Sequence, residues 1–408
     1  MDDGGNDRFH YPSYIIHKIM RRRGKLHLTS SILHQTSSIN MKYYLVAGEA
    51  SGDLHGANLM KALKQEDGDA VFRYFGGDKM QAEGGEMVKH YAEMAFMGFT
   101  EVILNLRTIF RNLKACKEDI LKWKPDVLVL IDFPGFNLKI AEFAKAHGIK
   151  VCYYISPKVW AWNQKRVLKI KKIVDHMFCI LPFEVDFYKE WGMEVDYVGN
   201  PLLDEIAQFS PDLNFRENHQ LGTEKIIALL PGSRKQEIER LLPVMLSIRE
   251  EYPDYIFAIA AAPTFTEAYY HQFTGDKKVK LLFNNTYNLL HHAHTAIVAS
   301  GTATLETALF KVPQVVVYKG GAISIAIARM LVKIKFISLV NLIVNKKIVT
   351  ELIQEDCNTA KISSELQIIL NGEGRSEMLK HYDELLLLMG KPGASAKTAK
   401  LIVEKLKR

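Results

Sequence analysis

The chain is 408 residues long, 48% hydrophobic and 24% charged, the make-up of a soluble globular protein with room for two ordinary domains. Its net charge of +7 is uneven: six Lys/Arg against three Asp place +3 in residues 1–40, and the +4 left elsewhere is too small to argue for a nucleic-acid partner. Cys116, Cys152, Cys179 and Cys357 lack metal-ligand spacing and sit in apolar or helical contexts, as reduced cysteines of a cytoplasmic core do.

Residues 1–40 carry no apolar run after Arg21, Arg22 and Arg23, so they do not read as a signal peptide. They read as a disordered, dispensable extension before the strand that Met41 opens. From there strands and helices alternate, which predicts parallel sheets with crossover helices. Strands are expected at Tyr43–Ala47, Val71–Phe75, Val127–Ile131, Lys150–Ile155 and Met177–Leu181, with helices at Leu54–Lys64 and Asn137–His147. A Pro/Asn-rich passage from Val198 to Leu213 reads as a link between two domains, 41–205 and 206–375. The second series has strands from Ile226 and at Ile256–Ala260, Lys280–Phe283, Ala296–Ala299 and Gln314–Val317. Residues 376–408 read as helices broken near Gly390-Lys391-Pro392-Gly393 and returning to the first domain. The expected fold class is α/β, two Rossmann-like doubly wound domains facing a cleft. Ligands of such sheets bind beyond the carboxyl ends of the strands. Ala322 to Val344 is apolar, but Arg329, Lys333 and Lys335 leave no uncharged run of about 18 residues, the length that spans a bilayer.

Two segments of the second half point to a nucleotide diphosphate. Ile226 to Leu246 (IIALLPGSRKQEIERLLPVML) and Ala296 to Tyr318 (AIVASGTATLETALFKVPQVVVY) are each an apolar run, a turn of small residues and a helix pattern. Gly232, Ser233, Gly301, Thr302 and Thr304 let phosphate approach a helix N-terminus, where N–H groups are unpaired and the dipole is positive. Arg234 adds a planar cation suited to phosphate oxygens. Glu306 offers a carboxylate to a ribose diol. The purely structural alternative, an ordinary strand–Gly–helix turn, applies to either segment alone.

Three segments of the first half carry chemistry. In Val46 to Leu59 (VAGEASGDLHGANL), the small residues allow a sugar or phosphate to come close, or make a plain first strand–helix turn. In Val127 to Ala144, Asp132 ends an apolar strand, where a partly desolvated carboxylate suits a general base or caps the next helix. Tyr153 to Lys172 sets Trp160 and Trp162 beside a basic helix, as core or as the lining of a sugar or acyl-chain site. The stretch Met94 to Lys117 reads as an amphipathic interfacial helix. Val102, Leu106, Ile109, Phe110 and Leu113 form its apolar face, Arg107, Arg111 and Lys114 a basic stripe, with Phe96, Met97 and Phe99 just upstream. The alternative is a core helix with a solvated basic edge. Ala322 to Lys335 is a weaker second candidate. Asp67-Gly68-Asp69 reads as a solvated turn, and His291, His292 and His294 as a polar helix end, so no metal ligand set is expected.

GEASGD, FMGFTEV, IDFPGFN, ISPKVWAW, LPFE, LLPGSR and SGTATLE occur in one order, and with them the chain from Met41 to about Lys400 closely resembles the lipid-A-disaccharide synthases. The resemblance implies the glycosyltransferase B fold and inverting chemistry without metal or cofactor. UDP-2,3-diacylglucosamine and 2,3-diacylglucosamine 1-phosphate would give the β-1,6-linked disaccharide 1-phosphate and UDP, a step of lipid A biosynthesis. It makes Asp132 the expected base. Glu49, Ser51, Gly52, Gly232, Ser233, Arg234, Ser300, Gly301, Thr302, Glu306 and Asn341 are the expected substrate contacts. It also implies a peripheral enzyme on the cytoplasmic, anionic face of the inner membrane, with a homodimer left open. The family often has His after the linker's Val-Gly, where this chain has Asn200, and some members have Asp where it has Gly135. Neither position is given a catalytic role.

Overall fold

The fold is built from two all-parallel sheets, seen in a computed structural model that describes residues 41–94, 105–275, 279–321 and 335–407. The first sheet holds β1 (Lys42–Ala47), β2 (Val71–Gly76), β3 (Glu86–His90), β4 (Val127–Ile131), β5 (Lys150–Tyr154), β6 (His176–Cys179) and β7 (Asp196–Tyr197), in the order β3-β2-β1-β4-β5-β6-β7. The second holds β8 (Lys225–Leu230), β9 (Tyr255–Ala261), β10 (Val279–Phe283), β11 (Ala293–Ala299), β12 (Gln314–Tyr318) and β13 (Thr350–Ile353), in the order β10-β9-β8-β11-β12-β13. Central strands such as β4, VLVLI, are buried at every residue. A parallel sheet covered by helices on both faces requires such unbroken apolar runs.

The expected central strands all form, but β3, β7 and β13 were not anticipated. They are edge or near-edge strands of mixed polarity, EMVKH, DY and TELI. Two helices start earlier than expected. Helix α1 covers Ala50–Glu66, and α2, Leu106–Trp123, is followed after β4 by α3, Pro134–Ala146. Pro134 opens α3 because its fixed φ suits the first helical turn and its missing N–H costs nothing there. The link is not irregular throughout: Pro201–Gln208 is a helix, α4. Asn200 caps it by accepting from the Leu202 N–H at 3.0 Å. The Asp67-Gly68-Asp69 turn is also not simply solvated, since Asp67 is buried and accepts a hydrogen bond from the Tyr43 hydroxyl at 3.0 Å.

In the second half, α5 (Lys235–Leu246) follows β8 and α6 (Thr302–Leu309) follows β11. Two long helices then end the chain: α7, Gly372–Met389, and α8, Ala394–Leu406. They serve different sheets. Met378, Tyr382, Leu385 and Met389 of α7 belong to the core over the second sheet. Ala399, Ile402 and Val403 of α8 join Tyr43, Leu45 and Leu59 in the core under the first. The start of α8 is held by α4, whose Asp204 carboxylate accepts from the Gly393 and Ala394 N–H groups. The described residues form one compact unit. All four cysteines are buried and unpaired.

Asp204→Ala should therefore leave two helix-start N–H groups without partners and cost about 1–2 kcal/mol. Urea denaturation reads this directly, and an unchanged midpoint at unchanged slope would remove Asp204 from the account of how α8 is held.

Candidate active site

In each sheet the connections leave in opposite directions on either side of one strand pair, β1/β4 in the first and β8/β11 in the second. The loops that follow those strands must part there and open a crevice. The sequence places GEASGD after β1, Asp132 after β4, PGSR after β8 and SGT after β11. All four expected segments thus fall at switch points.

Asp132 occupies a strained elbow. Both Asp132 and Phe133 have positive φ, 43° and 48°, a region non-glycine residues rarely adopt. The elbow is pinned from three sides. The Asp132 carbonyl accepts from the Tyr153 hydroxyl at 2.6 Å and from the Asn137 side chain at 2.8 Å. Asn137, fully buried, also donates to the ends of β1 and β4, at the Val46 and Ile131 carbonyls. The Phe133 ring lies against Gly48, where a Cβ would overlap it. Asp132 is not the cap of α3, whose first turn has no side-chain cap. Burial raises its pKa above the usual carboxylate value, the Lys158 ammonium opposes the rise, and Glu49 adds to it. Glu49 and Asp132 are thus electrostatic neighbours. Ser51 is exposed on the first turn of α1, and Gly52 is buried against Ala47.

The second crevice is a cavity of ≈ 720 Å³. Gly232, Ser233 and Arg234 form one wall, and Ser300, Gly301, Thr302 and Glu306 another. Gly232 has φ +97°, which a side chain would strain, and its turn leads into α5. Arg234 is largely exposed; its N–H and guanidinium both donate to Glu237, at 3.3 and 3.5 Å. The SGT turn leads into α6, which no side chain caps, so its first N–H groups are available to an anion. The Ser300 hydroxyl donates to the Ile337 carbonyl and that of Thr304 to the Gly301 carbonyl, and Thr304 is buried away from the cavity. Glu306 is half-buried, and its carboxyl is pushed up to about 7 by burial and by the charge of Glu205.

One expected contact stands apart. Asn341 is fully buried, with its amide spent on the Val349 carbonyl, the Glu351 carboxylate and the Ile348 and Val349 N–H groups. It fixes a turn and does not line the cavity. Phe96, Met97, Phe99 and Val102 lie outside the described residues. Of the proposed apolar face on α2, Leu113 is core and Ile109 packs against it, which leaves Leu106 and Phe110 exposed beside Arg107, Arg111 and Lys114.

Lys158 is the residue that sequence reasoning did not single out. It lines the cavity from the loop after β5 and acts on Asp132, so it belongs to both crevices. Its loop is fixed from below by Glu184 of LPFE, 1% exposed, which accepts from the Ser156 hydroxyl, the Trp160 indole and the Leu181 N–H at 2.5, 3.1 and 3.1 Å. Burial pushes the Glu184 carboxyl up to about 7 against those three donors. Trp160 is core with one edge on the cavity, whereas Trp162 is half exposed with Arg166 over its ring.

The sequence profile described as lipid-A-disaccharide synthetase matches residues 43–405. The chain belongs to the lipid-A-disaccharide synthase family. It is 39% identical over 372 residues to the lipid-A-disaccharide synthase of Myxococcus xanthus, covering 89% of this chain and 97% of that protein. To the synthase of Syntrophus aciditrophicus it is 40% identical over 376 residues, with 89% and 97% covered. Solved structures share its architecture at low identity. UDP-GlcNAc 2-epimerase from Neisseria meningitidis bound to UDP-GlcNAc has a TM-score of 0.62 at 14% identity, over 90% of this chain and 100% of that one. The glycotransferase of kitacinnamycin has 0.62 at 13%, over 90% and 99%. Such likeness shows the fold alone, that of the B-type glycosyltransferases, while the synthase relatives carry the activity: a glycosyltransferase that forms the lipid A disaccharide.

Because the elbow of this synthase-family chain has no room at Gly48, Gly48→Ala should push Phe133 and with it Asp132 out of place. Misplacement on the scale of an ångström costs about 10²-fold in rate. Initial rates, with circular dichroism to confirm folding, check this; normal turnover in the folded variant would show that the elbow tolerates movement.

Proposed function

We propose that the protein transfers a diacylglucosamine unit from UDP-2,3-diacylglucosamine to 2,3-diacylglucosamine 1-phosphate in a single inverting displacement. Asp132 takes the proton of the acceptor's 6-hydroxyl as that oxygen attacks the anomeric carbon from the face opposite UDP. The new bond is the β-1,6 linkage. The bond from the anomeric carbon to the diphosphate oxygen breaks, UDP leaves with its electron pair, and the proton ends on Asp132. The charge growing on the diphosphate is met by Arg234, by Lys158 and by the N–H groups at the starts of α5 and α6. Glu306 holds the ribose hydroxyls.

The observation that carries this reading is that Lys158 lines the anion-suited cavity of one crevice and that its charge also reaches the carboxylate of the other. A displacement needs its base and its leaving-group cations within one substrate's length of each other. Partial burial supports Asp132 as the base, since it raises proton affinity while Lys158 keeps the ionised form accessible.

Asp132→Asn keeps the shape and removes the base, so UDP binding should survive while turnover falls about 10²–10⁴-fold. In the unmodified enzyme the rate should rise with pH through a group titrating above the usual carboxylate range, because the base works only when ionised. Near-normal turnover in Asp132→Asn would move the role elsewhere, with Glu49 the first alternative.

Both substrates carry acyl chains, so we further infer contact with the anionic, cytoplasmic face of the inner membrane. Leu106, Phe110 and Leu121 are exposed on α2, with Arg107, Arg111 and Lys114 beside them. No helix among the described residues is long and apolar enough to span a bilayer. Each basic residue near such a surface contributes about 1 kcal/mol, so replacing all three with Glu should release the protein from phosphatidylglycerol vesicles in a flotation assay. Undiminished binding would place the contact elsewhere.

A further inference from the structure

Behind Glu306 lies a contact that the transfer chemistry does not use. The Tyr287 hydroxyl stands between two carboxylates, 3.3 Å from Glu306 Oε1 and 3.2 Å from Glu205 Oε2. A tyrosine hydroxyl has one hydrogen, so it can donate to only one of them at a time. Its ring is held in place by aromatic contacts with Phe209 at 5.6 Å and Phe310 at 5.1 Å between centroids. Tyr287 thus sits as a fixed donor with two competing acceptors. Glu205 comes from α4, the helix that joins the two sheets and whose neighbouring Asp204 holds the start of α8.

We propose that Tyr287 and Glu205 are positioning residues for the sugar-nucleotide donor: when ribose hydroxyls donate to Glu306, the Tyr287 hydrogen turns to Glu205, which serves as its alternative acceptor. This rests on Glu306 as the ribose ligand. It adds that occupancy of the ribose site changes the hydrogen bonding of α4, so the joining helix registers whether the donor is present. No covalent bond changes, and the hydroxyl keeps its proton throughout.

The groups that act on Glu306 are Glu205, whose charge favours its protonated form, and Tyr287, whose hydrogen bond favours its ionised form. Those that act on Glu205 are Tyr287, Lys79 from the first sheet's side of the cleft, and Asp204. Arg234 and Lys158 face the same cavity, and His291 follows Tyr287 on its helix beside Phe209. Burial and Glu205 together hold the Glu306 carboxyl up to about 7. A ribose diol is bound better by the ionised carboxylate, so donor affinity should rise with pH through that value.

The two neighbours should then move this rise in opposite directions. Glu205→Gln removes the opposing charge and should shift it to lower pH by about one unit. Tyr287→Phe keeps the ring packing, removes the stabilising hydrogen bond, and should shift the rise to higher pH. Calorimetric titration of the full-length protein with UDP-2,3-diacylglucosamine, acceptor absent, reads both; the diphosphate is esterified at each end and does not titrate across neutral pH. Glu306→Gln serves as the reference and should flatten the rise. If Glu306→Gln leaves affinity and its pH dependence untouched, the ribose assignment itself fails. If Glu306→Gln weakens binding but the rise stays in place in both other variants, or moves the same way in both, Glu205 and Tyr287 are packing residues and the proposal is overturned.

Discussion

A parallel sheet must bring its chain back after every strand, and where successive connections change direction the loops on either side separate. This constraint acts twice here, at β1/β4 and at β8/β11. It makes a crevice at each place without any special sequence. What the sequence supplies is the choice of residues at the four strand ends: small ones where a ligand's phosphate would meet backbone, a carboxylate where a proton would leave. The rest of the site depends on the two crevices opening toward a common space. Lys158, reaching from the loop after β5, is the residue that joins them.

Asp132, Glu184 and Glu306 are among the carboxyls near this space held above their usual pKa, and burial is the first cause in each. Their surroundings separate them by use. Glu184 is enclosed by three donors and has no outlet, so it acts as an anchor for the loop above it. Asp132 is half open: its carbonyl accepts from Tyr153 and Asn137, and its carboxylate accepts from the neighbouring Phe133 N–H. Glu306 shares one donor with a second carboxylate. The same desolvation therefore meets three different settings, according to how many hydrogen-bond partners each carboxylate already has: an anchor at Glu184, and at Asp132 and Glu306 carboxyls with acceptor capacity left over.

The architecture was legible because buried parallel strands are continuous apolar runs, and VLVLI or IIALL is recognisable without context. Asp132 and the Gly232–Arg234 turn were legible for the same reason, as the first polar residues after such runs. The edge strand β10 was legible from its apolar VKLLF, but β3, β7 and β13 were not, because a strand paired on one side and partly open to solvent can carry a mixed pattern, as EMVKH does. Asn341 was expected as a substrate contact from the resemblance alone, and what no local pattern gave is that its amide satisfies a buried turn. Lys158, Tyr287 and Glu205 were invisible for a different reason. Their significance lies in tertiary neighbours, such as the 82 residues that separate Tyr287 from Glu205, and no local pattern marks a meeting of that kind.

The last helix has a consequence for how the chain is made. Ala399, Ile402 and Val403 complete a core whose other members begin at Met41. The ribosome releases the first sheet's strands, residues 42–197, well before the helix at 394–406 that covers α1. At about 5–20 residues per second, the roughly 200 residues between the last of those strands and the helix take about 10 to 40 seconds. Throughout that interval the nascent first half exposes an apolar groove that its own sequence cannot yet fill. This is the period in which a chaperone on the emerging chain would find its binding surface, and premature termination anywhere in the second half would leave that surface permanently open.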